Sequence, residues 1–424
     1  MMSVFTKHKI TKGINLYYLP LTKFKTQTVS INIHTQLKKE TATKNALLPN
    51  VLKRGCQKFP NAQVISEYLE TLYGSVFDCG IHKKGENQVI YFNFECIDDQ
   101  YILDKTNILE KILRFSKALL FEPIVDQLGF KEDFVMQEKD KLKALIESMM
   151  NNKMTYAVER CYQEMCKNEP FGIYEYGQID QLSGIDSVDL YNHYLKLISS
   201  SQIDIFVAGG DKEQEVLTMV KQIFNVAMTE NIIYPTTERI TQVSEVKKVE
   251  EALDVTQGKL SMGFRTGIAP TDEEYEALMV YNSILGGGPH SKLFNHVREK
   301  LSLAYYVFSH LEKFKALMMI SAGIEIDKVE DASNEIMAQM QTIKEGNISQ
   351  SEFDAAIHYM VNSIRSLQDN AFHMMEYYLG QIISDTDVSL ETLIERIKAV
   401  TKQDVVKVAE KIQLDTIYFL KNKE

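Results

Sequence analysis

Shifting the chain by 229 positions lays Pro60–Asp98 over Pro289–Asp327 without a gap. Only six of the 39 pairs are identical: Pro60, Glu70, Leu72, Lys84, Ile97 and Asp98 with their counterparts. The order of patterns is nevertheless shared: helix, glycine, proline, helix, strand, short connection, strand, helix. A repeat of that length implies two equivalent units, each burying its own apolar face. Length agrees, because 424 residues exceed what one hydrophobic core usually holds. The expected fold class is therefore α+β: two homologous domains, each a mainly antiparallel sheet packed with helices, joined by a linker into a clamshell. The boundaries read as 1–227, a linker at 228–252 and a second domain at 253–424. The linker stretch lacks a sustained apolar period, is rich in Thr, Glu, Lys and Val, and contains Pro235.

The formal net charge of −11 hides a split. Residues 1–60 carry eleven Lys/Arg and a single acid, Glu40, for a local +10, so the remaining 364 residues sum to −21. An acidic body argues against a nucleic-acid binder, whose phosphate contacts need a broad basic face. The basic stretch could be a targeting segment, but Lys7, Lys9 and Lys12 interrupt any apolar run. Val29, Ile31 and Ile33 alternate with Ser30, Asn32 and His34, the period of a half-buried strand. No stretch approaches the roughly 20 apolar residues of a membrane span. A cytoplasmic chain with no membrane span is expected.

Cys56, Cys79, Cys96, Cys161 and Cys166 are odd in number and scattered, which fits reduced thiols better than disulfides or a zinc knuckle. The histidines are as dispersed; His290 and His296, six apart, point to different sides of a helix. Leu285-Gly286-Gly287-Gly288-Pro289-His290-Ser291-Lys292 resembles a phosphate loop in composition only, since a helix precedes it and the spacing differs. Glycine closing one helix and Ser291 capping the next is the plainer account. In Val297–Tyr306, Arg298 lies near a helix end and Tyr305 on the following strand. A guanidinium and a phenol brought to one cleft can bind and polarise a peptide carbonyl, because each donates hydrogen bonds to developing negative charge. Separately, each also fits an ordinary surface or core role.

Those residues, with Leu-Gly-Gly-Gly, Ser-x-Leu-Phe and Arg-Glu-Lys before Leu-Ala-Tyr, make Asn282–Ser309 resemble the second domain of pitrilysin/insulinase-like zinc peptidases, the group that includes the mitochondrial processing peptidase subunits. Similarity extends over nearly the whole chain, through Phe171-Gly172-Ile173-Tyr174, Asp189–Gly210 and Val400-Thr401-Lys402-Gln403-Asp404-Val405. The family's zinc motif is HxxEH on a first-domain helix plus a distant Glu. Aligned through Leu52-Lys53-Arg54-Gly55, this chain has Ala46, Leu47, Leu48, Pro49 and Asn50 there, and Leu145 near the distant ligand position, with Glu147 close by. Both histidines and the base are missing, and Pro49 is expected to disturb the helix.

The resemblance implies that Arg298 and Tyr305 occupy the family's substrate-binding positions, while Ser302 departs from its usual Gly. It further implies a catalytically inactive subunit, without its own metal, pairing with a homologous HxxEH-bearing zinc subunit to cleave peptides. The rival is a non-enzymatic peptide-binding or scaffold protein of the same fold. The bacterial group most like it is associated with 5-aminopentanol modification of elongation factor P, to which no residue of this chain points. The lysines of residues 1–60 are expected on solvated strand and helix faces, or else lining a chamber that attracts acidic peptides.

Overall fold

The computed structural model describes residues 5–103 and 106–423. It forms two compact units that are not contiguous in sequence. The first runs to Glu147 and includes Ile173–Thr236 and Asn370–Tyr378; the second holds Ser148–Gly172, Thr237–Asp369 and the chain from Leu379.

The first unit is built on a six-stranded sheet. Its strands are β1 (Thr6–Thr11), β2 (Ile14–Leu19), β3 (Thr26–Gln36), β4 (Val76–Lys84), β5 (Asn87–Ile97) and β6 (Gln202–Ala208). Their order is β1-β2-β6-β3-β5-β4, antiparallel throughout except for β2–β6. The second unit has β7 (Lys247–Leu253), β8 (Gly258–Arg265), β9 (Ala304–Glu312), β10 (Leu317–Ile324) and β11 (Gln413–Asn422). Its order is β9-β10-β8-β11-β7, and the parallel pair is β11–β7. Read from the other end, this matches β2-β6-β3-β5-β4 strand for strand, down to the position of the parallel pair. The weak sequence repeat is thus a full topological repeat, and the mainly antiparallel α+β expectation holds for both halves.

Helices α1 (Lys39–Lys53), α2 (Glu132–Ser148), α3 (Lys153–Met165), α4 (Ser187–Ser200), α5 (Tyr275–Gly286) and α6 (Lys402–Lys411) position the residues of interest. Helix α6 opens on a reciprocal cap. Thr401 Oγ1 accepts from Asp404 N at 3.3 Å, and Thr401 N donates to Asp404 Oδ2 at 3.0 Å. That capping box is the physical content of the Val400–Val405 motif.

Three expectations change in the structure. A cut near residue 227 does not separate the units. Helix α3 buries Tyr156, Ala157, Cys161, Tyr162 and Met165 with Leu317, Met319, Tyr418 and Leu420, so it belongs to the second core. Nor does an unstructured linker reach 252, because β7 starts at Lys247. Its Glu251 accepts from Tyr418 OH at 2.8 Å, Tyr156 OH at 2.5 Å and Arg160 Nε at 3.1 Å. An edge strand can expose its other charges to water, which erases the apolar signal. Finally, β3 is buried on both faces. Val29, Ile31 and Ile33 enter the core, while Ser30, Asn32 and His34 are covered as well. Asn32 Nδ2 donates to Ser30 Oγ at 3.0 Å, and His34 Nε2 lies 3.0 Å from the fully buried Asp204. Asn87 Nδ2 also donates to His34 Nδ1 at 2.9 Å, and these polar contacts offset part of the cost of burying that face.

All five cysteines are buried and unpaired. Burial pushes the Cys79 thiol up to about 12, which leaves it protonated and inert.

Candidate functional site

Helix α1 carries Ala46, Pro49 and Asn50, the positions that the family resemblance sets against the zinc motif. Its apolar residues Ala42, Ala46, Leu47, Leu48, Val51 and Leu52 are buried, and this packing holds the helix unbroken from Lys39 to Lys53 despite Pro49. The expected disturbance does not occur. Its cost is confined to the Asn45 carbonyl, which Pro49 cannot serve. The Cys79 thiol donates to the Pro49 carbonyl at 3.3 Å. Ala46 is a core methyl, Asn50 is half-buried, and Leu145 projects from α2 into solvent. A methyl, a pyrrolidine ring and an isobutyl group have no lone pair to offer, so these residues do not fit a zinc ion. Among the described residues no group of three or more His, Cys, Asp or Glu could hold a metal.

Beside those positions the sequence reading missed a polar network. Asn45 Nδ2 donates to Thr35 Oγ1 at 3.0 Å and Gln88 Oε1 at 2.9 Å, while His193 Nε2 on α4 donates to Asn45 Oδ1 at 2.7 Å. Gln88 Nε2 reaches the Ala42 carbonyl at 3.1 Å and the Glu175 carbonyl at 2.6 Å. It joins residues up to 148 positions apart, a separation no local pattern reveals. Burial first, and then the nearby Lys44 ammonium, hold the His193 imidazole down at about 4. The unfolded chain therefore takes up the His193 proton near its ordinary value, and the folded chain does not. Stability of the first unit should fall by about 2–3 kcal/mol as pH drops from about 6.5 to 4. Acid titration of the urea midpoint, compared with His193→Gln, measures that loss.

The second unit places Arg298 and Tyr305 on one surface depression of about 470 Å³, shared with Gln257, Ser302, Leu303 and Glu325. Three local devices build it. Helix α5 ends at Gly286, where a Cβ would meet Ser309 N at 2.5 Å, so glycine is required by close approach. Ser291 Oγ then accepts from Phe294 N at 3.4 Å and starts the turn Phe294–Lys300, which is π-helical. The turn closes with Ser302 N donating to the Arg298 carbonyl at 3.1 Å and Leu303 N to the Val297 carbonyl at 2.9 Å. These two nested bonds, each one residue wider than in an α-helical C-terminal cap, close the π-helical turn and leave a left-handed residue at its end. Ser302 supplies it, with φ of 51°.

The glycine usual at position 302 is thus replaced without loss of the turn, at the cost of a strained backbone. Ser302→Gly should stabilise the second unit by about 0.5–1 kcal/mol in urea unfolding. Beyond the turn, β9 bulges between Ala304 and Tyr306, so Tyr305 has no cross-strand partner. A bulge re-aims the side chain it frees. Tyr305 is 81% exposed and is no core residue. The Arg298 guanidinium stands 4.7 Å over the Phe294 ring and 3.4 Å from Glu299, 44% exposed. A half-exposed guanidinium so held has N–H donors facing solvent. Gln257 and Glu325, missed by the sequence reading, flank the paired ends of β8 and β10.

A relative from Bacillus subtilis, "Probable inactive metalloprotease YmfF", is 37% identical over 417 residues, covering 97% of this chain and 96% of its own. Residues 185–360 match the family described as "Peptidase M16 inactive domain". The chain belongs to the M16 peptidase family. A conserved protein from Enterococcus faecalis V583 has the same structure over 99% of both chains, with a TM-score of 0.90 and 30% identity. An M16 inactive domain from Pseudomonas fluorescens superposes with a TM-score of 0.80 at 15% identity, over 99% of this chain and 98% of its own, which shows the shared fold. The pitrilysin/insulinase resemblance is thus borne out at the level of the family. None of these three relatives carries a name that refers to elongation factor P. Among the described residues no helix is long and apolar enough to cross a membrane.

Proposed function

We propose that this M16 chain is the non-catalytic subunit of a two-chain zinc peptidase and contributes peptide binding through Arg298 and Tyr305. The observation that carries the reading is the asymmetry between its two halves. The zinc positions have become Ala46, Pro49, Asn50 and Leu145, whereas the turn presenting Arg298 and Tyr305 persists even with strained Ser302 in place of glycine. A protein that needed neither side chain would have no use for that strain. In this reading Arg298 holds the substrate backbone by hydrogen bonds to its carbonyls. Tyr305 donates its phenolic proton to the scissile carbonyl as charge develops there. The homologous subunit brings the metal, and no step of hydrolysis is assigned to this chain's first unit. The setting proposed is the cytoplasm.

The test is reconstitution. The isolated chain is expected to cleave nothing, and mixing with an HxxEH-bearing M16 protein from the same cell should produce peptide cleavage. If this chain copurifies as a homodimer, or with a partner lacking HxxEH, the scaffold reading replaces the proposal.

A further inference from the structure

The charge split in the sequence has a counterpart in the fold that the peptidase reading leaves unused. Strand β1 is an outer strand of the first sheet, paired only with β2. Among the described residues no other main chain hydrogen-bonds to it, so its outer edge keeps free N–H and C=O groups. Lys7 and Lys9 stand on one face of β1, opposite Tyr17 and Asn15 of β2, and Lys12 lies in the turn between the strands. With Gly13, Asn15, Gln202, Asn231, Ile232 and Tyr234 they line a pocket of about 590 Å³ with no acid in its wall.

The carboxylate nearest in the sheet is already satisfied. Asp204 accepts from Asn15 Nδ2 at 2.9 Å and from Gln202 Nε2 at 2.9 and 2.8 Å, and faces His34 at 3.0 Å. Lys7 stands 5.5 Å from the Tyr17 ring centroid, and among the described residues none of the three ammonium groups has an ion-pair partner. Three unneutralised cations around a concave surface set up a field that attracts anions. Lysines on an edge strand also discourage pairing between copies, but that role requires neither the pocket nor the exposed Tyr234 beside it.

We infer that β1 and its lysine-rimmed pocket bind an extended acidic peptide. The peptide adds as a strand along the free edge, its main chain bonded to β1 and its carboxylates set against Lys7, Lys9 and Lys12. The inference goes beyond the subunit reading and does not depend on it, because no metal and no second chain take part.

The experiment is fluorescence anisotropy of a labelled peptide of alternating Glu and Thr with the full chain, at about 50 and about 200 mM salt. Binding is expected at low salt and should weaken several-fold at the higher salt. Lys9→Glu/Lys12→Glu should weaken it by about tenfold or more, while Lys9→Arg/Lys12→Arg and Lys221→Glu, outside the pocket wall, should retain it. Circular dichroism checks that the variants fold, and the arginine variant keeps the test valid if the glutamate variant does not. The inference is overturned if the acidic peptide does not bind at low salt, or if its Gln/Thr counterpart binds as tightly. Equal binding by the charge-reversed variant would also end it, as would binding of inorganic phosphate but not of the peptide.

Discussion

Replacing Arg265 with methionine should destabilise the second unit by about 3–5 kcal/mol, a large share of the stability of an ordinary domain. Arg265 is 3% exposed and sits between two carboxylates. Its Nε donates to Asp415 Oδ2 at 2.8 Å, its Nη2 to Glu169 Oε1 at 2.6 Å, and its Nη1 to the Ile240 carbonyl at 3.1 Å. Lys315, fully buried, supplies the second cation, 2.7 Å from Glu169 Oε2. Burial alone would push the Glu169 carboxyl up, but hydrogen bonds from Arg265 and Lys315 outweigh it and hold the group below its ordinary range. Removing the guanidinium leaves two anions against one cation in a site that water does not reach. Such a group left without its partner costs far more than the intact pair contributes. The cluster ties Glu169, just past α3, to β8 and β11, so it fastens the out-of-sequence segment to its core. Urea unfolding followed by circular dichroism should show the second unit melting earlier. A loss below about 1 kcal/mol would mean that apolar packing, not this cluster, holds the segment.

Tyr305→Phe should reduce the turnover of the reconstituted peptidase by about 10²–10³-fold, with KM little changed. The reason lies in the geometry. Tyr305 is freed from strand pairing by the bulge and points to solvent, so its ring contributes little to the fold and its hydroxyl remains available. A donor that strengthens its bond only as the carbonyl becomes an oxyanion lowers the barrier without tightening ground-state binding. Arg298→Ala should act differently and raise KM, because the backbone contact proposed for it would already be present before the reaction. An unchanged turnover in Tyr305→Phe would remove the assigned role, even if the two subunits still assembled.

Much of the arrangement was legible along the chain. The 229-residue repeat predicted two equivalent sheets, and the strand orders match throughout the shared five. The glycine turn before Ser291 is a local event within a few residues, so local pattern sufficed. Ser302 was marked as a departure, but only its φ shows that the turn survived it. Three features were not readable. The bulge at Tyr305 is a relation between two strands, not a property of either. Burial of the β3 polar face depends on Asp204, 170 positions beyond His34. The capture of α3 by the second core depends on Leu317 and Tyr418, far along the chain.

What this protein lacks, and what it repeats, was therefore set by its residues alone. Ala46, Pro49, Asn50 and Leu145 carry no complete ligand set in any fold, since ligand chemistry belongs to side-chain atoms. Folding in three dimensions decided where the remaining chemistry faces. Tyr305 is exposed by a bulge, Arg298 is held in a π-helical turn closed by nested backbone bonds, and Lys7, Lys9 and Lys12 gather around one pocket. The cause is the same in each case. Direction and neighbourhood are set by hydrogen bonds and packing between segments distant in sequence, and only the folded chain brings those segments together.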